Sequence, residues 1–196
     1  MPIYNQIRTI LAQKTIGIAG AGGLGSNCAS SLLRSGIGKL IIADFDVVTE
    51  VNLNRQFYFF DQIGELKINA LRNNLLRINP FASLQMHNII ISPENISLLF
   101  STCDIVVEAF DLADQKQMLI EFMMENHPTI PVVAASGIAG WGGADKLKTI
   151  KCGSIYFCGD QTNEVSDENP PLAPKVNIVS NLQADVVLEI LLGEIK

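Results

Sequence analysis

The sequence predicts a doubly wound α/β fold: a mostly parallel sheet, helices on both faces, and a short antiparallel C-terminal extension. Three observations predict it. Apolar stretches of strand length alternate with helical stretches from residue 15 to residue 136. The first strand runs straight into a glycine-rich turn and a helix, Thr15-Ile-Gly-Ile-Ala-Gly20 and then Gly20-Ala-Gly-Gly-Leu-Gly25. The second strand, Lys39-Leu-Ile-Ile-Ala-Asp44, ends on an acid.

Each element follows from local pattern. Residues 1–14 carry Ile3, Ile7, Ile10 and Leu11 at helical spacing. A strand over 15–20 precedes a helix over 23–35, which Gly36 and Gly38 end. After the strand over 39–44 comes a polar loop, 45–61, then a helix over 64–78 that Asn79-Pro80 stops. A third strand, 83–89, leads to Ser92-Pro93, a serine N-cap with proline at the first helical position, and a helix to Phe100. The fourth strand, 104–109, is almost wholly apolar, as a strand covered on both faces should be. A helix over 114–126 and a strand over 131–136 complete the βαβ alternation. Beyond Gly137, residues 146–157 predict two short strands. Residues 159–169 have no apolar period and are expected to be mobile. A last helix over 176–192 presents Val179, Leu182, Val186 and Ile190 on one face.

Composition bounds the function. A length of 196 residues with 48% hydrophobic and 17% charged residues predicts a single domain, 1–196, with a full core. No apolar run reaches the roughly 18 residues of a membrane span and no signal peptide opens the chain, so a cytoplasmic protein is expected. A net charge of -6 without a basic stripe argues against a nucleic-acid partner. The four cysteines, Cys28, Cys103, Cys152 and Cys158, contain no CxxC pair; Cys28 and Cys103 sit in apolar surroundings and are expected in the core.

The glycine turn is a phosphate cradle. Gly20, Gly22, Gly23 and Gly25 let the backbone approach a pyrophosphate at the N-terminus of the next helix, and Asp44 suits a ribose hydroxyl. NAD and ATP both satisfy that much. Asp46 either joins the site or orients the loop after it. The residues that follow favour a triphosphate: Asn52, Arg55 and Gln56, with Lys67 on the next helix. Arg55 can grip phosphate oxygens in a fork, and Lys67 can neutralise developing pyrophosphate charge. Asp111, just past the fourth strand, suits a Mg²⁺ ion beside phosphates; the other use for it, or for Asp114, is to cap the next helix.

These residues resemble the ThiF/MoeB/HesA family, bacterial relatives of ubiquitin-activating enzymes. The matching residues are Gly20-Ala-Gly-Gly-Leu-Gly25, Asp44-Phe-Asp46, Asn52-Leu-Asn-Arg55-Gln56, Gly64-x-x-Lys67, Asn79-Pro80, Glu108-Ala-Phe-Asp111 and Leu172-Ala-Pro174, collinear across most of the chain. The short length is similar to ThiF-type proteins of thiamine biosynthesis. The resemblance implies ATP- and Mg²⁺-dependent adenylation of the C-terminal Gly-Gly carboxylate of a small β-grasp sulfur-carrier protein, such as ThiS, with release of pyrophosphate. It implies that the glycine turn, Asp44 and Asp46 bind the nucleotide, that Asn52, Arg55, Gln56 and Lys67 attend the phosphates, and that Asp111 binds the metal. It also implies a homodimer, and a segment before Leu172 that crosses over the carrier tail; residues 159–170 are expected to order when carrier and ATP bind together.

Three departures stand out. The N-terminal lead is too short for the family's dimer-crossing arginine arm, and Arg8 is a weak substitute. The two CxxC pairs that hold structural zinc in larger members are missing, so no structural zinc is expected. Residues 163–171 lack the cysteine often found there, which supports adenylation better than sulfur transfer. Two rival functions remain at the level of sequence: a NAD-dependent oxidoreductase, which would need an acid–base group or substrate domain, and a non-catalytic nucleotide-sensing scaffold. His87 and His127 fall away from the crevice that such an oxidoreductase would use.

Overall fold

The computed structural model describes residues 3–193; the first two residues of the predicted N-terminal lead and the last three of the chain lie outside it. The elements in order are α1 (Ile3–Leu11), β1 (Thr15–Ala19), α2 (Gly23–Ser35), β2 (Lys39–Asp44), α3 (Lys67–Ile78), β3 (Ser83–Asn88), α4 (Pro93–Phe100), β4 (Ile105–Glu108), α5 (Ala113–Asn126), β5 (Val132–Ala135), β6 (Lys148–Cys152), β7 (Ile155–Gly159) and α6 (Ala173–Leu192). Short 3₁₀ turns at Glu50–Asn54 and Phe60–Gln62 give shape to the loop between β2 and α3.

The strands form one seven-stranded sheet in the order β3-β2-β1-β4-β5-β7-β6. All pairs are parallel except β6 with β7, the antiparallel extension that the sequence predicts. The chain winds outward from β1 to β3, then restarts beside β1 with β4. The crevice at the carboxyl ends of β1 and β4 is therefore the switch point where ligands of such sheets bind. β1, β4 and β5 are apolar apart from Thr15 and Glu108, because both faces are covered. Leu11, α2, α3 and α6 pack one face, and α4 with α5 pack the other. Cys28 and Cys103 are buried in these two cores.

The C-terminal helix differs from the sequence expectation for physical reasons. α6 begins at Ala173 rather than 176, because Pro174 sits in the first turn, where its missing N–H costs nothing. The buried face of α6 also carries polar groups, Lys175, Ser180 and Gln183, which apolar periodicity cannot find. The Gln183 amide donates to the main-chain carbonyls of Glu108 (2.9 Å) and Val133 (3.2 Å), joining β4 to β5 from beneath.

Candidate nucleotide-binding and transfer site

A cavity of about 400 Å³ opens over the switch point. Its floor is the turn from β1 to α2. At Gly25 a side chain would collide with the Gly20 carbonyl oxygen and press on Ala109 Cβ at 3.2 Å; at Gly20, φ is +101° with the Ala109 carbonyl close by. Glycine at these positions lets α2 start directly behind the turn, so its first amides face the cavity. Gly20, Gly22 and Gly23 line the cavity, whereas Gly25 serves the packing behind it.

Asp44 closes one side. Its carboxylate accepts the Ala21 N–H at 2.7 Å and the Asp46 N–H at 2.8 Å, so the strand-end acid also staples the glycine turn. Asp46 pairs with Lys67 at 2.7 Å, and its carbonyl accepts the Lys67 N–H at 2.8 Å. The Lys67 side chain is only 7% exposed while Asp46 is 48% exposed, so the ammonium sits at the cavity's inner surface with its counter-ion toward water.

The Arg55 segment is tethered to α2. Asn27 Nδ2 donates to the Arg55 carbonyl at 2.9 Å, and the Phe57 N–H donates to Ser26 Oγ at 3.0 Å. Tyr58, buried, donates its hydroxyl to the Ala21 carbonyl at 2.7 Å; burial, with Asp44 and Asp46 nearby, pushes the phenol pKa up and keeps it a donor. The half-buried Arg55 guanidinium lines the cavity; burial pulls its pKa down and the Asp111 carboxylate pushes it back up. Gln56 is buried at the lining, with its side-chain oxygen lacking a partner among the described residues.

Asp111 lines the cavity and is exposed. Helix α5 begins at Ala113 with Leu112 at its N-cap and no side-chain cap, so Asp111 does not act as the helix cap. Asn52 is the site candidate that stands apart. It is absent from the lining, and its side-chain oxygen accepts the Thr49 N–H at 2.9 Å, closing the 3₁₀ turn that precedes Arg55. His87 and His127 lie outside the lining, and Arg8 stacks on Tyr4 near Gly36.

Sequence reasoning passes over a third cavity cation. Lys116, on α5, lines the cavity and pairs with Glu108, which is fully buried at the end of β4. Glu108 also accepts the Phe110 N–H at 2.7 Å and so fixes the turn that carries Asp111. Burial raises the Glu108 pKa, against the lowering pull of Lys116 and of the Phe110 and Ala135 amides. The signal was present in the sequence: a lone carboxylate ending Ile105-Val-Val-Glu108 in a covered strand requires a partner.

The far side of the cavity is made by residues after β5 and β7. Ser136, Gly137 and Ile138 line it together with Asn163, Glu164 and Val165. At the start of the stretch expected to be mobile, residues 160–163 are hydrogen-bonded in place. The Asp160 carboxylate accepts the N–H groups of Thr162 (3.0 Å) and Asn163 (2.9 Å) and pairs with Lys175 at 2.6 Å, with side chains 2% and 6% exposed. Burial pushes the Asp160 carboxyl up, but the bonds from Lys175, Asn163 and Thr162 outweigh it and hold it well below the usual carboxylate range.

A sheet that is parallel but for one edge pair, with a glycine turn, a strand-end acid and three cations lining its switch point, is the architecture of the doubly wound nucleotide-binding α/β folds. More narrowly, the ThiF family model matches residues 4–196, and the chain belongs to that family. It is 45% identical over 85 residues to ubiquitin-like modifier-activating enzyme 5 of Caenorhabditis briggsae, covering 43% of this chain and 19% of that protein. It is 28% identical over 198 residues to the adenylyltransferase and sulfurtransferase UBA4 of Candida glabrata, covering 97% of this chain and 45% of that protein. The chain thus spans less than half the length of these two relatives. In fold it is similar to the E. coli tRNA N6-threonylcarbamoyladenosine dehydratase TcdA in complex with AMP, with a TM-score of 0.87 at 20% identity over 96% of this chain and 90% of that one. E. coli MccB with ATP gives a TM-score of 0.74 at 21% identity over 94% of this chain and 57% of that one.

Proposed function

We propose that this protein is an adenylyltransferase that uses ATP to activate the C-terminal Gly-Gly carboxylate of a small ubiquitin-like or sulfur-carrier protein, releasing pyrophosphate. The observation that carries the proposal is the convergence of Arg55 and Lys67 with Asp111 in the cavity floored by the glycine turn. A hydride-transfer enzyme needs no such cations around its pyrophosphate. An acyl adenylation does, because an anionic carboxylate must approach an anionic α-phosphate.

The residues divide the work by charge and position. The amides after Gly20 and the Asp44 carboxylate hold the phosphates and ribose, with Asp46 setting Lys67 in place. The carrier carboxylate oxygen attacks the α-phosphorus; the bond to the bridging oxygen breaks, and its electron pair leaves with pyrophosphate. Arg55 neutralises the approach in a fork, and the Lys67 ammonium, which spends one of its three N–H donors on Asp46, has others for the departing oxygens. The turn closed by Asn52 holds the Arg55 segment in register, and the Gln56 amide at the cavity lining is free, among the described residues, to meet a phosphate. The donor set fits a Mg²⁺ ion: Asp111 is one exposed carboxylate at the cavity, and Mg²⁺ is commonly held by one or two carboxylates with phosphates and water. When bound, that ion would neutralise phosphate charge.

The acceptor pathway is a finer matter. Thiamine synthesis is supported by the length resemblance alone, while a fold neighbour bears the name of a tRNA-modifying enzyme. A homodimer is supported by the exposed apolar side chains Val51, Phe59, Phe60 and Ile63 on one loop; light scattering at micromolar concentration should give twice the chain mass, and a monomer mass would refute it. The function itself is tested by ATP–pyrophosphate exchange. Carrier-dependent exchange is the expected result. Tight NAD binding with no ATP binding, or ATP binding with no exchange for any Gly-Gly-ended carrier, overturns it.

A further inference from the structure

The cavity has two halves. The glycine turn and Asp44 assign the half over β1 and β2 to the nucleotide. The other half lies over β5 and β7, and its wall is two connections laced together. The Gln161 N–H donates to the Ser136 carbonyl (3.1 Å), the Asp160 N–H to Gly137 (3.2 Å), and the Ala139 N–H to Asn163 (3.2 Å). One buried ion pair holds the lacing. Lys175, on α6, donates to the Ala139 carbonyl at 2.8 Å and to Asp160 at 2.6 Å; Asp160 in turn takes the amides of Thr162 and Asn163 and the Asn163 side chain at 2.6 Å. A side-chain pair thus fixes both edges of the wall from behind. Neither Asp160 nor Lys175 lines the cavity.

A buried ion pair is a poor device for stability, since desolvating both charges offsets their attraction. Its use here is geometric: it sets how the 160–165 connection lies against the 136–139 connection in the wall. The wall presents backbone, the Asn163 amide, small apolar groups and one carboxylate, Glu164; it suits an extended glycine-rich peptide, which brings hydrogen-bonding main chain and no bulk. We infer that Asp160 and Lys175 are positioning residues for the acyl substrate: they hold the wall that receives the carrier's C-terminal tail and leave nucleotide binding alone. This rests on the adenylation proposal above.

The test uses the full chain with Asp160→Ala and Lys175→Met combined. Removing both charges leaves no lone buried ion, so the double variant folds where either single substitution is at risk; its circular dichroism and melting transition are recorded first. ATP affinity is measured by calorimetry, and exchange is titrated with carrier. The expected result is a KM for carrier raised about ten-fold, the equivalent of roughly one lost substrate hydrogen bond. ATP affinity stays within about two-fold and kcat at saturating carrier is retained, the pattern of lost ground-state binding. An unchanged carrier KM in the folded variant overturns the inference. So does a fall in ATP affinity by the same factor as carrier affinity, which makes the pair a prop for the whole site. If the wild-type chain exchanges with no carrier, the adenylation proposal has failed, and this inference with it.

Discussion

Lys67 and Lys175 invite the same substitution with opposite results. Each is a buried lysine paired with one aspartate, at 2.7 Å and 2.6 Å respectively. Methionine keeps the length and apolar bulk of the lysine stem and deletes the charge. What differs is the partner. Asp46 is 48% exposed, so in Lys67→Met its carboxylate is hydrated in place; a pair with that much water contributes about 0–1 kcal/mol. Asp160 is 2% exposed, so Lys175→Met leaves an uncompensated buried charge, which costs about 3–5 kcal/mol. For a chain of this size each kcal/mol moves the melting temperature by about 2–4 °C. Lys67→Met should therefore melt within about 4 °C of wild type, and Lys175→Met roughly 10 °C lower. In the exchange assay the order reverses for turnover: Lys67→Met should lose about 10²- to 10³-fold in kcat, the usual result of deleting one group that stabilises transition-state charge. Differential scanning calorimetry and pyrophosphate exchange read both quantities. A Lys67→Met variant that melts as low as Lys175→Met, or one that retains wild-type exchange, refutes the argument from partner exposure or the catalytic role respectively.

Arg55→Ala should lower kcat by about 10²-fold or more with a smaller change in ATP affinity, because its charge matters most as pyrophosphate departs; single-turnover exchange beside calorimetry separates the two, and an unaltered kcat removes Arg55 from the mechanism. Glu108 makes stability depend on pH. Its folded pKa is raised above the ordinary value of 4.5, so its contribution is fully present below that value and is lost as pH rises through the folded value. Glu108→Gln cannot ionise, so the stability of wild type relative to the variant should fall as pH climbs from about 4.5 toward the raised folded value. Urea titrations of both proteins across that range check it, and a difference that grows in favour of wild type refutes it.

Much of the site is legible in the chain because its chemistry is local. The glycine turn, Asp44 and Asp111 each sit at a strand end, and strand ends in a doubly wound sheet converge by topology. Asn52 shows the limit of such reasoning. An asparagine three residues before an arginine reads equally as a phosphate ligand or as a turn-closing side chain, and only the position of the Thr49 amide decides. Lys116 is hidden for a different reason: a lysine on an amphipathic helix reads as solvated until Glu108 is seen to be buried beneath it. Asp160 and Lys175 are fifteen positions apart in a stretch with no apolar period, and their pairing is a product of how α6 lies under β5 and β7. Periodicity finds faces that bury carbon, and the polar half of α6 is invisible to it.

Gln183 carries a consequence for how such a protein changes over time. Its one amide spans the carbonyls of Glu108, which ends β4, and Val133 within β5, the two strands that lead to Asp111 and Ser136. The spacing of these two strands is thus gauged from inside the molecule. The outer surface can be rewritten without disturbing that gauge, so divergence among family members should concentrate on the rim while the interior amide is kept.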